Sequence, residues 1–178
     1  MLQLRRIMII GGAGSGKSTL ARRLGEIYDL PVHHLDAVFW QPGWVEPDRA
    51  EFSGRVLDLI HTDRWVIEGN YSATWPERSS RADLVIFLDI SAPRRLYRAL
   101  KRYWTYRDRE REDIAPGCPE KFDLAFTKWI LTYSRHGRPK ALAQIYDDAV
   151  RDKSVHLRHR DVAGFLDRCA RGLAHITP

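Results

Sequence analysis

Between residues 9 and 20 the chain reads Ile-Ile-Gly-Gly-Ala-Gly-Ser-Gly-Lys-Ser-Thr-Leu. Gly11, Gly12, Gly14 and Gly16 crowd one short stretch, and Lys17, Ser18 and Thr19 follow at once. Residues this small leave the amide N–H groups unobstructed, so Gly11, Gly12, Ala13, Gly14, Ser15 and Gly16 can wrap a phosphate chain. The spacing of Gly11, Gly16, Lys17 and Ser18 satisfies G-x-x-x-x-G-K-[ST], a loop that holds nucleoside triphosphates where it joins a strand to a helix. In that pattern the lysine reaches the β- and γ-phosphates, the Ser18 hydroxyl binds Mg²⁺, and the helix N-terminus adds partial positive charge. The expected ligands are ATP and Mg²⁺, held by residues 11–19.

A metal held this way takes a second, acidic contact from the end of a nearby strand. Glu68 in Trp-Val-Ile-Glu-Gly-Asn-Tyr and Asp89 in Val-Ile-Phe-Leu-Asp-Ile-Ser both qualify. Gly69 keeps space open beside Glu68, which favours Glu68. A hydroxyl acceptor of phosphate also needs its proton taken, and Asp36, after the second strand, can take it. A phosphate acceptor is already a nucleophile and needs cations instead, so Asp36 points to a hydroxyl-bearing acceptor or a sugar contact; the alternative is a turn or cap aspartate. His33 and His34 read as strand residues with satisfied ring nitrogens. Trp40, Trp44, Tyr71 and Trp75 fall in two loops flanking the acceptor, where they either stack on a base or sugar or pack their loops onto the core. Trp104, Trp129 and Tyr133 read as helix packing.

The elements that must position these groups follow from hydrophobic pattern. Leu4 to Ile10 is a buried strand, the glycine loop follows, and a helix runs from Lys17 to about Tyr28. Further strands are expected over Pro31–Leu35, Trp65–Glu68, Leu84–Leu88 and Ser154–Leu157. Glu46-Pro47-Asp48 opens a helix with Phe52, Val56 and Ile60 on one face. Arginine-rich Pro93 to Tyr106 is a helix, one more passes through Trp129 and Tyr133, another begins after Pro139, and a last spans Asp161 to about Arg171. Residues 107–119, polar and then punctuated by Pro and Gly, predict a mobile lid. Apolar strands alternating with helices require a parallel sheet covered on both faces. The expectation is one α/β domain over residues 1–178, with five parallel strands in three layers and the phosphate-loop NTPase fold. In such sheets ligands sit at the carboxyl ends of the strands.

The 178 residues carry 11% aromatic side chains, which is globular composition, and a formal net charge of +6, which suits anionic partners without choosing among them. No apolar run approaches the roughly 20 residues of a membrane span, and a signal peptide is not expected. Cys118 and Cys169 are too few for a disulfide framework or a zinc site, which fits a reduced cytoplasmic chain.

With the glycine loop, Glu68-Gly69, Asp89 and the arginine helix, the chain resembles the adenylate kinase-like group of phosphate-loop kinases. More closely it resembles the bacterial DNA topology modulation (FlaR-like) proteins. His-Leu-Asp-Ala-Val-Phe-Trp-Gln-Pro-Gly-Trp (34–44), Ile-Glu-Gly-Asn-Tyr-Ser (67–72), Ala-Pro-Gly-Cys-Pro-Glu-Lys-Phe-Asp (115–123) and Arg-His-Gly-Arg-Pro-Lys (135–140) carry that likeness. The resemblance implies phosphoryl transfer by the fold and an effect on DNA supercoiling by the family name. It places Arg98 and Arg102, four apart on one helix face, beside the triphosphate, and brings Arg135 and Arg138 in from the lid side during transfer. Arg94, Arg95, Arg107, Arg109 and Arg111 read as a solvated basic surface. Asn70-Tyr71-Ser72 stand where adenylate kinases have their acceptor loop, so adenylate in particular is not implied. Two functions follow. One is a kinase that moves the γ-phosphoryl group of ATP to a nucleotide-like or other small acceptor. The other is a nucleic-acid-binding protein that uses ATP as a switch, although no helix-turn-helix or zinc signature is present.

Overall fold

The structure, a computed structural model, describes residues 4–107, 109, 111 and 113–173. Five strands form one sheet: β1 (Arg6–Gly11), β2 (Val32–His34), β3 (Trp65–Glu68), β4 (Leu84–Asp89) and β5 (Ser154–Arg158). Their spatial order is β2-β3-β1-β4-β5, and every pairing is parallel. β1 is therefore central and delivers the glycine loop to the middle of the carboxyl edge.

Side chains alternate across a strand, so β1 feeds two cores. Ile7 and Ile9 join Val66, Ile86 and Leu88 against Leu20 and Leu24 of α1 (Lys17–Tyr28) and Phe165 of α7 (Val162–Ala170). Met8 and Ile10 join Ile67, Val85 and Phe87 against the opposite helices. Those are α3 (Arg49–His61), which contributes Phe52, Val56 and Ile60; α4 (Trp75–Arg81); and α6 (Leu124–Tyr146), which contributes Ala141 and Ile145. α3 starts where Asp48 accepts from the amides of Ala50 and Glu51, as an N-cap should.

The structure departs from expectation in three places. Leu35 does not extend β2; it opens the short helix α2 (Leu35–Phe39), which carries Asp36. α4 follows the 3₁₀ turn Ser72–Thr74 in a stretch whose apolar pattern is too short to announce it. Pro139 does not divide two helices, because α6 runs unbroken through it. Proline costs that helix one hydrogen bond, but Ile130 and Tyr133 before it and Ala141 and Ile145 after it are all buried, which holds the halves in line.

The lid segment follows α5 (Ala92–Tyr106), and its Asp108, Glu110 and Glu112 lie outside the described residues. Its second half is packed: Ile114, Ala115 and Cys118 are buried against Trp40 and Trp44. Gly43 N–H donates to Gly117 at 2.9 Å and the Trp44 indole to the Pro119 carbonyl at 3.0 Å. That half is therefore tied to the segment between α2 and α3.

Candidate functional site

A cleft of about 1750 Å³ opens at the carboxyl edge of the sheet. Its floor is the glycine loop. Gly11, Gly14 and Gly16 have φ of +155°, +72° and +101°, values that side-chain-bearing residues rarely adopt. Gly16 caps α1 without any side-chain hydrogen bond, and no acid stands in the first turn, so the first amides of the helix remain available to an anion. Ala13 through Thr19 line the cleft; Gly11 and Gly12 lie beneath that surface. Lys17 Nζ rests 3.4 Å from the Gly12 carbonyl, and Arg98 Nη1 donates to the Ser15 carbonyl at 2.6 Å.

Beneath the loop lies Arg95, which is buried rather than part of a solvated surface. Its Nε donates to the Ile90 carbonyl at 2.9 Å, and its guanidinium sits 4.9 Å over the Tyr133 ring. A Cβ at Gly12 would meet Arg95 Nη1 and the Tyr133 ring, and one at Gly14 would meet the Arg95 backbone. The loop is thus bare on both sides. It needs the upper side for phosphate and the lower side for its own support.

At the end of β3 Glu68 is 4% exposed and accepts from the Ser18 hydroxyl at 2.9 Å. The same carboxylate oxygen lies 2.8 Å from His34 Nδ1. Burial pushes the Glu68 carboxyl up, but the His34 hydrogen bond, the Lys17 charge and the Ser18 hydroxyl outweigh it and hold it below the usual range. Asp89, the other candidate, is turned to a different use. It pairs with Arg138 at 2.9 Å and His156 at 3.0 Å, and it does not line the cleft. Ser18 and Glu68 together offer a hydroxyl and a carboxylate oxygen, the hard donors that Mg²⁺ prefers beside phosphate oxygens.

The acceptor side faces this floor. Asp36 lines the cleft from α2 and accepts from the Tyr71 hydroxyl at 2.8 Å. Loss of solvation within the cleft pushes the Asp36 carboxyl up, and the Glu68 charge adds to it against Lys17 and the Tyr71 hydrogen bond. Asp36 still opens to the solvent of the cleft, which moderates that rise. Tyr71 reaches it from a left-handed backbone, φ +36°, a costly conformation outside glycine. Asn70, one residue before, accepts the Gly11 amide at 3.0 Å through its side chain.

What holds this segment is Arg78 of α4, fully buried under it. Its Nη1 donates to the Gly69 carbonyl at 3.0 Å, and Nη2 to those of Asn70 at 2.5 Å and Tyr71 at 3.3 Å. Its Nε donates to Thr74 Oγ1 at 2.9 Å. Burial pushes the guanidinium down to about 9. Trp75 also packs below, its indole donating to the Asn70 carbonyl. Trp40, Trp44 and Tyr71 by contrast line the cleft, as does Trp129, which is half exposed; Trp104 is exposed as well and does not pack as expected.

The lid closes the acceptor side with ion pairs. Arg111 binds Asp113 through two nitrogens, at 3.0 and 2.8 Å, and Glu120 at 2.5 Å. Arg102, from α5, binds the other Glu120 oxygen at 2.8 Å. Burial presses the Asp113 carboxyl upward, but Arg111 brings it down to about 2. Arg111 is therefore a buried strut, not a solvated arginine. Arg98 and Arg102 line the cleft as expected, whereas Arg135 and Arg138 do not. Arg138 lines a smaller cavity of about 480 Å³ with Asp89, Arg94 and Arg158; α6 faces the cleft with Ala125, Phe126 and Trp129, earlier along the helix, and Asp89 holds Arg138 away from it.

No family model and no curated protein matches the chain. Among solved structures it is similar to a gluconokinase from Sinorhizobium meliloti 1021, with a TM-score of 0.59 and 16% identity over 98% of this chain and 94% of that one. It is also similar to a shikimate kinase from Acinetobacter baumannii in complex with shikimate, with a TM-score of 0.60 and 17% identity over 97% and 96%. A sugar kinase from Janibacter sp. HTCC2649 gives 0.54 and 16% over 96% of both chains. At these identities the likeness establishes the fold, that of the phosphate-loop kinases. No helix among the described residues is long and apolar enough to cross a membrane.

Proposed function

We propose that the chain is a small-molecule kinase that transfers the γ-phosphoryl group of ATP to a hydroxyl. The observation that carries this reading is Asp36, which faces the phosphate loop across one cleft with the Ser18–Glu68 pair between them. ATP lies with its triphosphate on residues 11–19, in the cleft that His159 and Val162 also line. Ser18 and Glu68 would hold Mg²⁺, which would supply charge neutralisation for the phosphates. Asp36 accepts the proton as the acceptor oxygen bonds to the γ-phosphorus, the bond from that phosphorus to the β–γ bridging oxygen breaks, and ADP leaves. Lys17 and Arg98 stabilise the charge that spreads over the transferred group, while Arg102 holds the lid through Glu120.

The three structural neighbours named above are kinases of gluconate, shikimate and sugar by name, which supports a small acceptor. Three of the four stretches that resemble the FlaR-like proteins surround the acceptor side, so we assign the chain to that group as a kinase. The test is calorimetry of Mg·ATP with wild type and a folded Lys17→Ala variant, followed by acceptor-dependent ADP release. Binding unchanged by Lys17→Ala would overturn the phosphate-loop assignment.

A further inference from the structure

A binding site records the charge of its ligand, because a phosphate or carboxylate taken out of water requires cations whose charge is not already spent. On the acceptor side the cations are spent. Arg111 is committed to both oxygens of Asp113 and to Glu120, and Arg102 reaches over from α5 to that same Glu120. Both carboxylates are themselves nearly buried, Glu120 at 3% and Asp113 at 13% exposed, and Asp113 has Arg111 as its ion-pair partner, so releasing Arg111 would strand that acid away from water. Arg78 lies beneath the segment, its donors on backbone oxygens, and does not line the cleft. Among the described residues of the segments that carry the acceptor wall, 36–46, 69–72 and 113–121, that leaves Lys121, whose ammonium sits 5.7 Å over the Trp44 ring; Arg22, Arg23 and Lys101 line the cleft from α1 and α5 instead.

The acids on the same wall are less committed. Asp36 receives a hydrogen bond from Tyr71, and neither Asp36 nor Glu46 has an ion-pair partner among the described residues. The rings of Trp40 and Trp44 line the same cleft, their centroids 5.3 Å apart. Flat apolar faces edged by carboxylate acceptors suit a ligand with C–H faces and outward O–H or N–H donors.

We infer that the acceptor is a hydroxyl-bearing small molecule without an anionic group, an uncharged or amino-bearing polyol or sugar. This rests on the kinase reading above and narrows it: nucleoside monophosphates and sugar acids are excluded as preferred acceptors. The shikimate bound by the Acinetobacter neighbour is a carboxylate, so the inference is not borrowed from it.

The test uses acceptors matched except in charge: sugars and polyols, their amino analogues, their acids and their phosphate esters, each assayed for acceptor-dependent ADP release with Mg·ATP. The expected result is kcat/KM at least tenfold higher for a neutral or amino-bearing member than for its anionic counterparts, with the acceptor KM of Lys121→Gln within threefold of wild type. A preferred anionic acceptor overturns the inference, as does a tenfold rise in KM for Lys121→Gln. So does an absence of turnover and of calorimetric binding, in the presence of Mg·ADP, across every neutral and amino-bearing member. Failure of the kinase reading looks different: Mg·ATP itself does not bind, or Lys17→Ala leaves its binding unchanged.

Discussion

On the nucleotide side of the cleft the ligand-facing groups are backbone amides of the glycine loop and Lys17, with Arg98 of α5 beside them. On the acceptor side they are carboxylates and aromatic rings carried by α2, by the segment after β3 and by the lid. Apart from Arg98, the first set is one contiguous motif on one strand–helix junction. The second is assembled from residues 36, 40, 44, 71, 111, 113, 114, 120 and 121, and it stays together through Arg78 below and the Arg111 ion pairs above. A triphosphate site can be general, because every ATP is the same. An acceptor site has to be particular, and its parts come from wherever the fold can supply them.

The largest effect that would break this comparison is on Asp36. Its replacement by Asn keeps size and polarity but removes the proton acceptor. General-base contributions are typically about 10²–10⁴-fold, so kcat should fall that far with the KM for ATP unchanged. Turnover at the wild-type rate would remove the base from the acceptor half. A lowered melting temperature with turnover preserved would make Asp36 a structural residue of α2.

Arg78 comes next. Arg78→Met takes a donor from the carbonyls of Gly69, Asn70 and Tyr71, and an orphaned buried acceptor costs about 1–3 kcal/mol. The expected outcome is a folded but less stable protein whose acceptor KM rises roughly tenfold, the loss of about 1.4 kcal/mol of binding. The Kd for Mg·ATP should stay within threefold by calorimetry. Equal losses on both sides would mean that Arg78 supports the fold as a whole, not the acceptor segment.

These two residues show what was legible in the sequence. The glycine loop, Glu68 and the strand ends were readable, because spacing and hydrophobic period are local. Asp36 was readable as an acid after a strand, although not as a residue of α2. Arg78 was not readable: an arginine followed by two serines looks like surface, and only the turn of Ser72–Thr74 puts it under three carbonyls. Arg95 and Arg111 read as surface for the same reason, since the burial of a charged group depends on how the chain turns around it: Arg95 lies between Ile90 and the Tyr133 ring, and Arg111 between Asp113 and Glu120. The His34 contact with Glu68 was missed because it crosses 34 residues between neighbouring strands.

The comparison sharpens with pH. Glu68, on the nucleotide side, is held below the ordinary carboxylate range, whereas Asp36 is raised above it. A base with a raised pKa is fully active above that pKa and loses activity as pH falls through it. Descending in pH, turnover should therefore be lost before Mg·ATP binding, with the acid limb of the kcat profile lying above the roughly 3.9 of a free aspartate. A limb at or below that value, or binding and turnover lost together, would contradict the assigned environments.

The smallest expected effect concerns the two arginines that the family resemblance brings to the transfer step. Arg135 and Arg138 lie midway along α6, outside the cleft lining, and Arg138 is held by Asp89 through contacts of 2.9 to 3.1 Å. Its side chain is 40% exposed, so the pair is screened and contributes at most about 1 kcal/mol. Arg138→Gln and Arg135→Gln should each leave kcat within threefold, and the melting temperature should move only for Arg138→Gln. Arg98→Gln, which lines the cleft at the glycine loop, should lower kcat at least tenfold under the same conditions. If Arg138→Gln instead costs as much as Arg98→Gln, the Arg138 side chain must reach the phosphates during turnover, and Asp89 then acts as the resting clasp from which Arg138 is released.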